Sequence, residues 1–145
     1  MYLLDTDCQS LLDRDTPEAR RMTERLLLVR PDEVAVTIVT YEEQMRGWLA
    51  WIAQAKTMEL QVTGYQRLSR HIERFRVIPV VDFDTRAASE FERLRKAGVR
   101  IGTMDLKIAS IALANQATIL TRNLRDYSKV PNLRCEDWTI STAEG

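Results

Sequence analysis

The apolar positions of this chain follow two spacings in turn. Short, nearly unbroken runs occur at Tyr2-Leu3-Leu4, Val34 to Val39, Val77 to Val81 and Ala117 to Thr121. Their length and β-branched content predict strands buried on both faces of a parallel sheet. Leu133-Arg134-Cys135 adds a shorter fifth candidate. Between the runs, apolar residues return every three or four positions, the spacing of a helix with one buried face. Leu11-Leu12 belong to a short first helix that Asp13 to Thr16 break. Thr16-Pro17 opens a second, with Thr16 as cap, Pro17 at the first helical position, and Ala19, Met22, Leu26 and Val29 on one face until Pro31-Asp32. Tyr41, Met45, Trp48 and Ile52 stripe a third helix, for which Thr40 and Glu43 have the spacing of a capping box. Tyr65, Leu68, Ile72 and Phe75 stripe a fourth, with Gly64 between the two. Asp84 caps a fifth helix, with Ala88, Phe91 and Leu94 inward and Gly98 closing it. Ile108 to Ala114 is apolar nearly all round, which predicts a buried central helix. Pro79 cannot donate to a ladder and places the third strand at an edge, and Trp138 is expected to cover an end of the sheet.

Alternating strands and helices predict an α/β fold, a three-layer α/β/α sandwich around a mostly parallel sheet of four to five strands. A length of 145 residues predicts one domain over 1–145. The apolar and charged shares, 45% and 29%, are those of a globular protein in water. No run reaches membrane-spanning length and no basic-then-apolar leader opens the chain, so a cytoplasmic protein with no membrane partner is expected. Cys8 and Cys135 lack metal-ligand spacing and read as free thiols of a reducing compartment. The third and fourth helices carry more apolar surface than one face needs, at Trp48, Leu49 and Trp51; they pack on each other or meet a partner. Lys and Arg balance Asp and Glu at 21 each, so net charge makes no case for nucleic acid. The basic residues are mostly Arg, whose fork suits phosphate.

The candidate chemistry lies where strands end. Asp5 follows the first strand, Glu43 sits one turn into the helix after the second, Asp105 opens the buried helix and Asp126 lies just past the fourth strand. In a doubly wound sheet such positions converge at the carboxyl edge, where ligands bind. Other chemistries are excluded by composition. The one histidine, His71, falls in a helix away from that edge and is expected to be a surface or satisfied residue, so no Ser-His or Cys-His pair and no His-built zinc site exist. The five glycines form neither a P-loop nor a dinucleotide fingerprint. Clustered carboxylates need their charge cancelled. An all-oxygen set suits Mg²⁺, with Mn²⁺ as substitute, and one or two such ions serve phosphodiester cleavage.

Four ordered segments carry a resemblance: Leu3-Leu4-Asp5-Thr6-Asp7; Thr40-x-x-Glu43-x-x-x-Gly47; Gly102-x-x-Asp105-x-x-Ile108-Ala109-x-x-Ala112; and Leu120-Thr121-Arg122-Asn123-x-x-Asp126-Tyr127. Together they resemble the PIN domain, and within it the VapC-type toxin ribonucleases of bacterial toxin–antitoxin modules. The resemblance implies a Rossmann-like α/β/α domain, Mg²⁺- or Mn²⁺-dependent endonucleolytic cleavage of RNA, a homodimer, and inhibition by a small cognate VapB-type antitoxin. It assigns the four metal-binding and catalytic acids to Asp5, Glu43, Asp105 and Asp126. Thr6, Thr121 and Asn123 fall where polar groups support the metal shell. Glu42 competes with Glu43; Gly47, four residues on, and Thr40, three before, favour Glu43. Arg122 and Arg125 flank the last acid, where they would hold RNA phosphates or remain solvated.

Two other readings stay open at this point. Asp5-Thr6-Asp7 superficially resembles the nucleophile motif of haloacid-dehalogenase-type phosphatases, with Asp5 as nucleophile and Asp7 as acid, although Gln9 departs from that motif. The third reading is a catalytically inert PIN-like module that binds RNA or protein.

Overall fold

The computed structural model describes residues 1–141. In chain order, β1 (Tyr2–Leu4), α1 (Thr6–Leu11), α2 (Pro17–Leu26) and a 3-10 turn at Pro31–Glu33 precede β2 (Val34–Thr37). Then come α3 (Ile38–Gln54), α4 (Met58–Val77), β3 (Val80–Val81), α5 (Thr85–Lys96), α6 (Thr103–Ala114), β4 (Thr118–Leu120), α7 (Leu124–Tyr127) and β5 (Arg134–Glu136). The five strands form one sheet in the order β3-β2-β1-β4-β5, and every pairing is parallel. The order reverses at β1, so the chain crosses outward on both sides of that strand.

Alternation along three-residue strands is enough to build two cores. Leu3 registers with Ala35 and Ile119, and these face α5 and α6 through Ala87, Leu94, Ile108 and Ile111. Leu4 registers with Val36 and Leu120, and these face α1 and α2 through Cys8, Leu11, Ala19 and Met22. The result is the expected three-layer sandwich. Each of the fully buried leucines and isoleucines contributes roughly 1.5–3 kcal/mol. Trp138 is buried in the second core, its ring 4.8 Å from that of Tyr2. As expected, α6 is buried almost all round, and both cysteines are free. The caps at Thr16 and Asp84 form, accepting from the amides of Ala19 and Ala87, and Gly98 takes φ +81 after α5.

Several local expectations are corrected. β2 stops at Thr37, whose hydroxyl accepts from the Thr40 amide at 3.2 Å and caps α3. Thr40 and Glu43 therefore lie inside the helix and form no capping box. Ile38 and Val39 have strand propensity, but a buried Val39 side chain and a capped helix start outweigh it. Val77 ends α4 instead of opening β3, which is an edge strand as Pro79 requires; Val36 donates to the Pro79 carbonyl. In α5 it is Ala87, not Ala88, that is fully buried. Gly64 is interior to α4. A Cβ there would meet Ile52 Cγ1 at 2.6 Å and the Trp51 ring at 2.9 Å, so its missing side chain lets α3 approach. That crossing sets the inward face of α4 at Gly64, Leu68, His71 and Phe75, and leaves Tyr65 and Ile72 exposed. His71 is buried between Tyr41 and Phe75, with ring centroids 4.9 and 4.7 Å away, and its Nε2 has no partner among the described residues. It is neither a surface residue nor fully satisfied. Trp51 turns onto Gly64 within the hairpin while Leu49 stays exposed, so the surplus noted in the sequence divides between packing and surface.

Candidate active site

The site lies at the carboxyl edge, around the ends of β1 and β4. The Asp5 amide continues the sheet by donating to Leu120 at 3.1 Å, and its carboxylate caps α1 by accepting from the Cys8 amide at 2.8 Å. Asp5 is 5% exposed. Burial pushes its carboxyl above the usual range; the Thr121 hydroxyl and the Cys8 amide pull it back. A buried acid at a strand end, held by only a few donors, is under-neutralised.

Glu43 reaches the same edge from the first turns of α3. The Thr6 hydroxyl donates to Glu43 Oε1 at 2.6 Å, and Thr6 and Thr40 hydroxyl oxygens are 3.1 Å apart. The single Thr6 proton goes to the carboxylate, so Thr40 is the donor in that second contact. Glu42 points elsewhere, to Arg46 at 2.6 Å. Asp105 lies in the first turn of α6, where Gly102 offers no side-chain cap. The buried Tyr127 hydroxyl donates to Asp105 Oδ1 at 3.2 Å. Burial raises the Asp105 carboxyl; the Tyr127 bond opposes this and the Asp126 charge adds to it. Asp126 is more open. It accepts from Asn123 Nδ2 at 2.9 Å and Lys129 at 3.5 Å, and the Asn123 bond chiefly holds its carboxyl low.

Tyr127 feels three of these acids. Burial first, and then the charges of Asp105, Asp5 and Glu43, push its hydroxyl well above the ordinary phenol range. Acids from the end of β1, from α3 and from α6 therefore act on one buried hydroxyl, which touches Asp105 directly, and the Asp126 charge acts in turn on Asp105. Among the described residues, no three of these four acids bring oxygens all within 4.8 Å of one another. Their donor set is oxygen only and partly buried, which fits a hard divalent cation that retains waters and takes few protein ligands.

A tighter trio, Asp5, Asp7 and Cys8, lies within 4.8 Å, but its chemistry does not fit such an ion. Burial and the Asp5 charge push the Cys8 thiol up and keep it protonated. Asp7 is held by Arg122 through two bonds of 2.7 and 2.8 Å, which drops its carboxyl below the usual range. That pairing also removes Asp7 as a proton donor, the role the phosphatase alternative needs. Of the two candidate phosphate-binding arginines, Arg122 is engaged by Asp7, and Arg125 is exposed. Thr121 supports Asp5 and accepts from the Asn123 amide at 2.9 Å.

Three participants escaped sequence reasoning. Tyr127 was visible only as an aromatic following Asp126. Thr40 has the spacing of a cap only if β2 runs through Val39, whereas the strand ends at Thr37. The Asp7–Arg122 clasp spans 115 positions and left no local signal.

This is a parallel α/β/α sandwich with one buried and three partly buried carboxylates at its carboxyl edge, the edge at which such sheets bind ligands. Residues 2–133 match the family model described as the PIN domain, and the chain belongs to that family. It is 27% identical over 143 residues to "Ribonuclease VapC2" of Rickettsia felis, covering 95% of this chain and 98% of that one. It is 28% identical over 141 residues to the "tRNA(fMet)-specific endonuclease VapC" of Salmonella typhimurium, covering 94% and 97%. Among solved structures it is similar to DNA-bound VapBC from Salmonella typhimurium, with TM-score 0.70, 25% identity, and coverage of 94% and 97%.

Proposed function

We propose that this chain is a divalent-metal-dependent endoribonuclease and the toxin of a VapBC-type toxin–antitoxin pair. The observation that carries the reading is the placing of Asp5, Glu43 and Asp105 at one sheet edge, with Thr6 bonded to Glu43 and the buried Tyr127 hydroxyl bonded to Asp105, in a PIN-family chain whose full-length relatives are named as ribonucleases. Asp5, Glu43, Asp105 and Asp126 would hold Mg²⁺ or Mn²⁺. Such an ion supplies an activated water and charge neutralisation at the leaving oxygen.

The chain's own residues do the rest. Thr6 and Tyr127 donate to Glu43 and Asp105, fixing the orientation of each carboxylate. Thr121 does the same for Asp5, and Asn123 for Asp126. Arg125, and Arg122 when released from Asp7, take RNA phosphates. The chain acts as one domain over 1–145, in the cytoplasm, as a homodimer partnered by a VapB-type antitoxin. Among the described residues no helix is long and apolar enough to cross a membrane, and the α3–α4 hairpin offers exposed Leu49, Val62, Tyr65 and Ile72 for assembly.

The test is cleavage of total cellular RNA by the purified chain with Mg²⁺ or Mn²⁺. Cutting is expected with metal, and its loss with EDTA, Asp5→Asn or Asp105→Asn. Undiminished cutting by those variants overturns the reading. Metal binding by calorimetry, without cutting of any RNA, supports the inert module instead.

A further inference from the structure

A cavity of about 340 Å³ opens between α5, the segment Val99–Ile101 and the start of α6. Its lining is apolar at Phe91, Val99, Ile101 and Leu106 and polar at Arg95, Arg100 and Thr103. Arg95 is held over the Phe91 ring, 5.6 Å from its centroid, which limits the freedom of its guanidinium. Neighbouring arginines are neutralised locally, as Arg93 is by Glu90 at 2.5 Å. Arg95 and Arg100 face no carboxylate within 4.0 Å among the described residues. Two uncompensated guanidinium groups and a hydroxyl along one concavity, all three residues exposed, are donors of the kind that a tetrahedral oxyanion takes. The backbone at the start of α6 adds to this, since no side chain caps it.

Its position gives the anion a meaning. Arg100 precedes Gly102 by two residues, at most about 7 Å of chain. Gly102 lies against the Asp105 carboxylate, where a Cβ would sit 3.8 Å from Oδ2. The segment that lines the cavity, Val99 to Thr103, therefore runs directly into the helix turn that carries Asp105. We infer that the Arg95–Arg100 cavity is a subsite for a backbone phosphate of the RNA strand, a short distance along from the bond to be cut. This rests on the ribonuclease reading for its purpose, but not for its detection.

The test uses the full chain carrying Asp5→Asn and a short fluorescein-labelled single-stranded RNA of mixed sequence, followed by anisotropy from 50 to 300 mM salt. Arg95→Gln and Arg100→Gln are each expected to raise Kd roughly five- to tenfold at 0.1 M salt and to flatten the log–log salt slope by about 0.7. Arg70→Gln, an exposed charge removed from α4, should change neither. Inorganic phosphate is the second arm. Competition with RNA that the double variant loses assigns the site to phosphate in general; lack of competition assigns it to a phosphodiester within a strand. Unchanged affinity and slope in the double variant overturn the inference, as do equal effects from Arg70→Gln or absence of RNA binding by the parent. In the cutting chain the same substitutions should raise KM and spare kcat. A metal-loaded wild type that cuts no RNA sinks the ribonuclease reading while leaving the binding arm to decide the subsite.

Discussion

Asp7 and Arg122 are joined by two bonds, 2.7 and 2.8 Å long, that tie the first turn of α1 to the end of β4. Asp5 and Asp126 sit on the two segments so joined. Both partners are partly exposed, 34% for Arg122 and 49% for Asp7, so solvent screening limits the pair to about 0.5–1 kcal/mol even with bidentate geometry. A double-mutant cycle of Asp7→Asn and Arg122→Gln in urea is expected to return a coupling of that size. The paired Asp7 carboxyl is held low, so its contribution is present above the unfolded value of 3.8 and fades as pH falls through the folded one. A coupling that survives unchanged at pH 2 contradicts this account.

Asp5 has the opposite sign. Its carboxyl is raised by burial, so the folded state binds the proton more tightly than the unfolded state. Its ionisation opposes folding, fully so above the raised value, and acid relieves that cost. Asn keeps the capping acceptor without the charge. Asp5→Asn should therefore raise Tm at pH 7, with each ~1 kcal/mol of relief worth about 2–4 °C, while abolishing RNA cleavage. Mg²⁺ should raise the wild-type Tm and leave the Asn variant unmoved. A lower Tm for Asp5→Asn at neutral pH counts against the burial argument.

Tyr127→Phe removes the donor that holds Asp105 ionised. Because that bond opposes the upward push of burial, the Asp105 carboxyl should move up further. The acid limb of the cleavage profile is then expected to shift to higher pH, with kcat falling roughly 10- to 100-fold. Loss of rate with an unmoved acid limb would assign Tyr127 to packing alone.

Gly64→Ala tests the hairpin crossing. The added methyl meets Ile52 and Trp51 inside contact distance, and overpacking of this kind costs about 1–3 kcal/mol. The better helix propensity of Ala returns up to about 1 kcal/mol. Net destabilisation, read by chemical denaturation, is the expected outcome; a stabilised variant would mean that the hairpin opens there freely.

The layers of this protein are written in its apolar runs. Runs such as Tyr2-Leu3-Leu4 and Ala117 to Thr121 have no polar face, so they had to be buried parallel strands, and the acids that end them had to emerge at one edge. The PIN-type motifs were legible for the same reason, since each acid lies within a few residues of a strand end or helix start. Boundaries and faces were not legible where local propensity and packing disagree. Ile38 and Val39 favour strand, yet the Thr37 cap and the buried Val39 make them helical. Gly64 reads as a break, yet serves as the contact point of two helices. What the tertiary structure alone decided was pairing at a distance. It set Tyr127 on Asp105, Thr6 on Glu43 and Arg122 on Asp7. These are contacts between side chains on different elements, and their energies depend on burial and approach angle, which no spacing along a chain encodes.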